Sequence, residues 1–124
     1  MEWLHVLSPA LSESNIHTHC TLQNLPQLCS DVYEVTASDA DVRQGEINCI
    51  WGAFKIEVYP LKNGIRYALT GCPNALQWTV TTRHGETTLH GSINQTTPDP
   101  EFAETIESLL LHFYQGLQLC QSDP

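Results

Sequence analysis

The chain has 124 residues, 41% of them hydrophobic and 15% charged, and a formal net charge of −9. This length fits a single domain over residues 1–124 with its own core, and the composition excludes a disordered chain. No apolar run approaches the roughly 18 residues of a membrane span, and the acidic balance argues against non-specific binding to nucleic acid.

In the first half of the chain, short apolar stretches predict strands at residues 3–7, 16–22 and 32–36, and polar residues predict a loop at 38–41. A helix over part of residues 8–30 stays an alternative. The N-terminal apolar segment has no basic flank and meets Pro9, so it does not resemble a signal peptide.

The second half predicts two tight hairpins. From residue 50 to 58 apolar side chains alternate, as in a half-buried strand, and Asn63-Gly64 then forms a strong turn signal. A two-residue loop there places Val58 opposite Leu69. A second alternation runs to His84-Gly85, where the same logic places Val80 opposite Leu89.

A C-terminal amphipathic helix follows the hairpins. Asp99 is a plausible N-cap with Pro100 at the first helical position, and Gly116 could end the helix. The apolar stripe consists of Phe102, Ile106, Leu109, Leu110, Phe113 and Leu117. The predicted fold is therefore α+β: an antiparallel meander sheet with this helix packed on one face, in two layers.

The strand count suggests a further hypothesis about assembly. One helix laid obliquely covers roughly four strands, given strand spacings of about 4.8 Å. N-terminal segments or a second copy must cover the rest, so a homodimer is an open alternative.

Residues that could carry chemistry are few. On a predicted strand, His17 and His19 would point the same way and could share a zinc ion, but the spacing identifies no third ligand. Exposed histidines are therefore the favoured interpretation, and no metal or cofactor is predicted. The usual phosphate-, dinucleotide-, zinc-protease and hydrolase motifs are missing from the sequence, so an enzyme is not the first expectation.

The cysteines are odd in number and lack paired spacing, which predicts reduced thiols in a cytoplasmic protein. They are Cys20, Cys29, Cys49, Cys72 and Cys120. Cys72, in a Gly-Cys-Pro-Asn turn, is the one placed like a reactive thiol. A nucleophile needs a base and an electropositive setting, which the neighbouring residues do not supply, so a structural role is favoured there.

Charge is distributed unevenly along the chain. All five basic residues fall between positions 43 and 83, whereas residues 1–42 and 84–124 carry six acids each and no Lys or Arg. This layout predicts either an ordinary solubilising surface or one that meets a basic protein partner. The candidate partner-binding residues are Glu104, Glu107 and Leu111 on the helix and Lys55, Arg66 and Arg83 on the outward sheet face.

Residues 75–119 resemble the small acidic chaperones of type III secretion systems. The resemblance rests on the strand 87–93, the Pro98-Asp99-Pro100-Glu101 helix start and the amphipathic helix that follows. It implies a non-catalytic protein that binds another protein, as a chaperone, adaptor or inhibitor does. The alternative is a small-ligand-binding protein or enzyme with a pocket between helix and sheet, metal-dependent if His17 and His19 take part.

Overall fold

A computed structural model describes residues 1–37 and 43–121 of the chain. The predicted loop at 38–41 lies outside the described residues. The strands are β1 (Glu2–Leu7), β2 (Val32–Ala37), β3 (Gln44–Cys49), β4 (Gly52–Leu61), β5 (Gly64–Ala68), β6 (Gln77–Arg83) and β7 (Glu86–Ser92). The helices are α1 (Glu13–His19), α2 (Leu25–Leu28) and α3 (Pro100–Cys120).

All seven strands form one antiparallel sheet in the order β1-β7-β6-β5-β4-β3-β2. Strands β2 to β7 follow one another as a meander, and β1 joins beside β7 to complete the opposite edge. The helices pack on one face: α3 contacts β1 and β7, α1 contacts β5, and α2 contacts β2 and α3. The predicted fold class is confirmed, and N-terminal helices cover the part of the sheet that α3 does not reach.

Helix α3 begins as the sequence predicts. The Asp99 side chain accepts a hydrogen bond from the Glu101 backbone at 2.9 Å, and Pro100 follows it at the start of the helix. Every member of the predicted apolar stripe except the half-buried Phe102 is buried. Phe113 packs edge-on against Tyr67 and Trp78, whose rings stack 5.4 Å apart at the centre of the sheet. The core therefore lies between this helix and the middle strands.

The region predicted as a strand at 16–22 is instead helix α1 and the turn after it, so the alternative of a helix within residues 8–30 is the correct one. The Ser12 hydroxyl caps the helix by accepting a hydrogen bond from the Asn15 backbone. Ile16 and Cys20 are both buried, four residues apart. Their spacing suits one side of a helix as well as alternate positions of a strand, and the serine cap decides between the two.

The two predicted hairpins differ in outcome. The Arg83–Glu86 pairing and the Val80–Leu89 pairing are confirmed, with His84 and Gly85 at φ of 53° and 80° in the turn. The predicted Val58–Leu69 pairing is wrong, because Leu61 pairs with Gly64 and Val58 opposes Tyr67. This shift of two residues keeps each side chain on its predicted face.

The sequence did not predict β3. It pairs with β4 through a tight turn at Ile50 and Trp51, after which Gly52 adopts a φ of 106°. Strand β4 therefore starts at Gly52 instead of Ile50. Gly116 does not end α3, which continues to Cys120.

Candidate functional site

A pocket of about 200 Å³ lies between α1 and the helix-facing side of β4 and β5. Its sheet wall consists of Val58, Pro60 and Ile65, and its helix wall includes Cys20 and Leu22. Apart from the exposed Pro60, these side chains are almost fully buried. The pocket therefore has an apolar interior.

Polar side chains contribute the remainder of the lining. They belong to His17, Thr21, Gln23 and Arg43. His17 and Gln23 are exposed, and so is Arg43, which brings the positive charge to the lining. An apolar interior combined with a few polar groups is the usual composition of small-molecule sites.

Local hydrogen bonds fix the helix wall in place. Nε2 of His17 lies 2.8 Å from the Leu61 carbonyl oxygen and 3.1 Å from that of Gly64, which attaches α1 to the β4–β5 hairpin. The Tyr67 hydroxyl donates to the Thr21 carbonyl at 3.2 Å. The Asn24 backbone donates to the Thr21 hydroxyl at 3.1 Å. The first three of these contacts anchor the helix wall of the pocket to the sheet.

Cys20 contributes an apolar surface to this pocket rather than a reactive one. Burial, with a smaller contribution from Cys120, raises the pKa of its thiol to about 12. The thiolate is the nucleophilic form of cysteine, and at neutral pH this thiol stays protonated.

His17 and His19 do not form the metal pair considered above. On a helix, side chains two residues apart point about 200° away from each other. Nε2 of His17 is in addition held by the two carbonyl oxygens of the β4–β5 hairpin. Across residues 1–37 and 43–121, the His, Cys, Asp and Glu side chains form no cluster of three or more suited to a metal ion.

All five cysteines are free, as the sequence predicts. Cys72 is half-buried in the turn between β5 and β6, and the others are buried. Burial raises the pKa of Cys29 to about 12 and also raises the pKa of Cys49. The structure thus distinguishes Cys72 as the accessible thiol, in line with its predicted position.

The predicted partner-binding residues lie on two opposite surfaces. Lys55, Arg66 and Arg83 are exposed, and their positions in the strands place them on the sheet face away from the helices. Lys55 stands opposite Glu46 and Arg83 opposite Glu86 in the strand pairing. Acidic neighbours therefore accompany two of the three basic residues, which weakens this face as a site for an acidic partner.

The other predicted surface is the solvent side of α3. Glu104, Glu107 and Leu111 are all exposed there, with Leu111 at 44% of its full accessibility. Glu107 also accepts a long hydrogen bond from Nε1 of Trp3, at 3.4 Å. The structure thus brings the helix residues together but separates them from the basic set.

One polar cluster was not predicted from the sequence. The buried carboxylate of Asp31 accepts hydrogen bonds from the Ser108 hydroxyl at 3.1 Å and from Nδ1 of His112 at 2.9 Å. It joins the start of β2 to the middle of α3. Asp31 lies far along the chain from its two partners, so no local spacing could indicate this contact.

A larger concavity, of about 420 Å³, lies at the β2–β3–β4 end of the sheet. Its lining includes the charged Glu46, Lys55 and Glu57 together with Thr36 and Thr70. Because these groups are already solvated and most of them exposed, an apolar ligand would gain little there. The pocket beneath α1 is the better candidate site.

Comparison with known proteins identifies the fold. No protein-family model and no curated protein sequence matches the chain. A solved START superfamily protein from Mycobacterium smegmatis is similar, with a TM-score of 0.65 and 18% identity over 94% of this chain and 93% of that one. A protein of unassigned function from Bacillus thuringiensis gives a TM-score of 0.56 and 9% identity over 92% of this chain and 99% of that one. The chain therefore has a START-like fold.

No helix among the described residues has both the length and the apolar character needed to cross a bilayer.

Proposed function

We propose that the protein binds a small, mostly apolar molecule in the pocket between α1 and the β4–β5 hairpin. The observation that carries this proposal is the pairing of a buried apolar interior with polar groups on exposed side chains. Small-ligand binding was the alternative to protein binding in the sequence analysis. The similarity to a START superfamily protein favours it, because proteins of that superfamily are often ligand-binding.

The size of the pocket limits the ligand. A cavity of roughly 150 Å³ can hold benzene, whereas the pockets that bind drug-sized ligands have volumes of roughly 300–1,000 Å³. A pocket of about 200 Å³ therefore suits one aromatic ring or a short acyl chain. A carboxylate or hydroxyl on that ligand fits the guanidinium of Arg43 and the amide of Gln23.

Binding without turnover fits the groups present. The Cys20 thiol, with its pKa raised to about 12, is a poor nucleophile near neutral pH. Nε2 of His17 is engaged with backbone carbonyls, so it is poorly placed to act as a base.

The test uses indole, benzoate and hexanoate as probes, each at millimolar concentration, with amide resonances of the protein followed by NMR. We expect at least one probe to shift the resonances of residues around Val58, Ile65 and Cys20. A ligand at a hundred times its dissociation constant would also raise the free energy of unfolding by about 2.7 kcal/mol. If no probe shifts these resonances, or if shifts map to another surface, the proposal is wrong.

A matched pair of variants localises the site. Gln23 and Gln27 are both exposed, but only Gln23 lines this pocket. We expect Gln23→Trp to obstruct the pocket and weaken probe binding at least tenfold, and Gln27→Trp to leave it unchanged. Equal effects of the two substitutions would place the ligand elsewhere.

A second candidate function, binding of a basic protein partner, is favoured by the exposed Leu111, which lies one helical turn from the exposed Glu107 on α3. The resemblance to secretion chaperones stays a prediction that belongs with this candidate. Five free thiols suit a reducing compartment such as the cytoplasm for either function. Affinity capture with wild type and Leu111→Ser in parallel tests it: a stoichiometric basic protein bound by wild type alone supports the candidate, and equal capture by both contradicts it.

A further inference from the structure

Strand β1 leaves one edge of the sheet open. The Ile93 backbone donates to the Met1 carbonyl at 3.0 Å, and Glu2 stands opposite Ser92 in the next pair. In an antiparallel ladder, bonded and non-bonded pairs alternate. The backbone groups of Glu2, Leu4 and Val6 therefore point away from β7.

Few described residues occupy this open edge. The Tyr114 hydroxyl donates to the Val6 carbonyl at 3.1 Å, and that oxygen keeps a second lone pair. Within residues 1–37 and 43–121, no donor or acceptor forms a hydrogen bond with the backbone of Leu4 from this side. An unpaired row of donors and acceptors is a template for another strand.

The side chains on this strand are also suited to a contact. Leu4 is 62% exposed and Val6 is 43% exposed, although both are apolar. Their positions place them on the sheet face away from the helices. The carboxylate of Glu2 is held on that face by Nε2 of His90, at 2.7 Å.

The opposite edge of the sheet is protected in a way that β1 is not. Strand β2 carries an irregularity between Val32 and Glu34, and it has the charged side chain of Glu34 within it. Bulges and charges are devices that prevent edge-to-edge pairing. Strand β1 has a continuous register from Glu2 to Leu7 and no charge at its centre.

We propose that β1 pairs antiparallel with β1 of a second copy of this chain, about a two-fold axis at Leu4. Each Leu4 then exchanges backbone hydrogen bonds with the other Leu4, and each Glu2 with Val6 of the second copy. The result is a continuous sheet across two molecules. This inference does not depend on ligand binding, since the β1 edge and the pocket beneath α1 share no residue.

A second copy fits this edge better than an unrelated strand because the strand is complementary to itself. In the proposed register an apolar Leu4 meets an apolar Leu4, and the acidic Glu2 faces Val6 instead of another acid. The antiparallel two-fold is the commonest closed symmetry of homo-oligomers. Pairing of this kind satisfies the open donors and acceptors of both copies at once.

The dimer is expected to be weak. One strand pair buries less than the roughly 1,200–2,000 Å² of a standard stable interface. Each chain also carries a net charge of −9, so the two copies repel each other at low ionic strength. We therefore expect association at high micromolar protein concentration, and stronger association when salt screens the repulsion.

Sedimentation equilibrium of the full chain over a wide concentration range tests the proposal. We expect the average mass to rise towards that of a dimer for wild type. Leu4→Lys places two like charges opposite each other, so this variant should stay monomeric. Ile50→Lys is the matched control, because Ile50 is an exposed apolar residue in the turn between β3 and β4, at the other end of the sheet. A wild type that stays monomeric at about 1 mM, where even a weak interface of this size would associate, overturns the proposal, as does equal dimerisation of Leu4→Lys.

A crosslinking experiment tests the register independently of affinity. In a Cys72→Ser background, Leu4→Cys brings two thiols together across the axis, at a Cα separation of about 5.5 Å that suits a disulfide. Val6→Cys faces Glu2 of the second copy and should not crosslink. With a mild thiol oxidant we expect a covalent dimer for Leu4→Cys only. Equal crosslinking of both variants, or of neither, contradicts the proposed pairing.

Discussion

Gly64 shows how one residue constrains the sheet. A side chain at this position would overlap the backbone carbonyl of Val80 on the neighbouring strand β6. We expect Gly64→Ala to lower the free energy of unfolding by about 1–3 kcal/mol, because β5 and β6 must move apart. Urea denaturation measures this change.

Gly71→Ala is the control for this substitution. A Cβ atom at Gly71 has no heavy atom within 4 Å. Alanine there should stabilise the protein by about 0.4–1 kcal/mol, because it restricts the unfolded chain. Similar effects of the two substitutions would show that close approach to β6 is not what requires glycine at position 64.

The same glycine explains why one hairpin register was predicted and the other was not. His84 and Gly85 both have positive φ, so the local turn sets the pairing of β6 with β7. At Asn63-Gly64 the signal placed the two-residue loop one position too late, because Gly64 pairs with Leu61 and is required by contact with β6. That contact depends on a strand some 15 residues later in the chain, which no dipeptide can reveal.

At the scale of elements, α3 and α2 meet at Gly116. A side chain there would overlap the Leu28 backbone of α2. Alanine is favoured over glycine in a helix by about 1 kcal/mol, but the overlap should outweigh this gain. We expect Gly116→Ala to lower the free energy of unfolding by about 1–2 kcal/mol.

Gln115→Ala is the matched control on the same helix. Gln115 is exposed, so its replacement should change the free energy of unfolding by less than about 0.5 kcal/mol. Thermal unfolding of both variants measures the difference. A Gly116→Ala variant as stable as wild type would mean that α2 moves freely away from α3.

The elements that could be predicted are those with long, regular patterns. The apolar stripe of α3 repeats over several turns, and Asp99 with Pro100 defines its start. The sequence left its end open between Gly116 and Cys120, and the helix continues to Cys120 because Gly116 serves packing instead of termination. The short segment around Ile16 offered too few residues to separate a helical from a strand period.

The candidate site could not be predicted for a related reason. Its lining comes from the α1 region, from Arg43 and from β4 and β5. These segments meet only because α1 packs on β5, and that contact leaves no spacing in the sequence. Single residues such as His17 were noticed, but their role depends on the carbonyl groups of Leu61 and Gly64.

For the molecule as a whole, buried thiols set a limit on stability at high pH. Burial raises the pKa of Cys20 and Cys29 from 9.0 to about 12. Between these values the unfolded chain loses thiol protons that the folded chain retains. The free energy of unfolding should therefore be unaffected by these groups below pH 9 and fall between about pH 9 and 12.

The expected slope is about 1.4 kcal/mol per pH unit for each such thiol. Urea denaturation at several pH values, with a reducing agent present, measures it. Cys29→Ala should reduce the slope by the contribution of one group, whatever its effect on stability at pH 7. A free energy of unfolding that stays constant from pH 8 to 11 would contradict the raised pKa values.

The position of β1 in the sheet also governs the order in which the chain can fold. Strands β2 to β7 each pair with the next strand along the chain, so short loops close their contacts. Glu2 instead pairs with Ser92, which requires closure of a loop that contains most of the protein. During synthesis, the segment that leaves the ribosome before all the other strands has no partner until β7 has emerged. Trp3 and Leu7, which are buried in the folded domain, therefore stay without their strand partner until residues 86–92 have been synthesised.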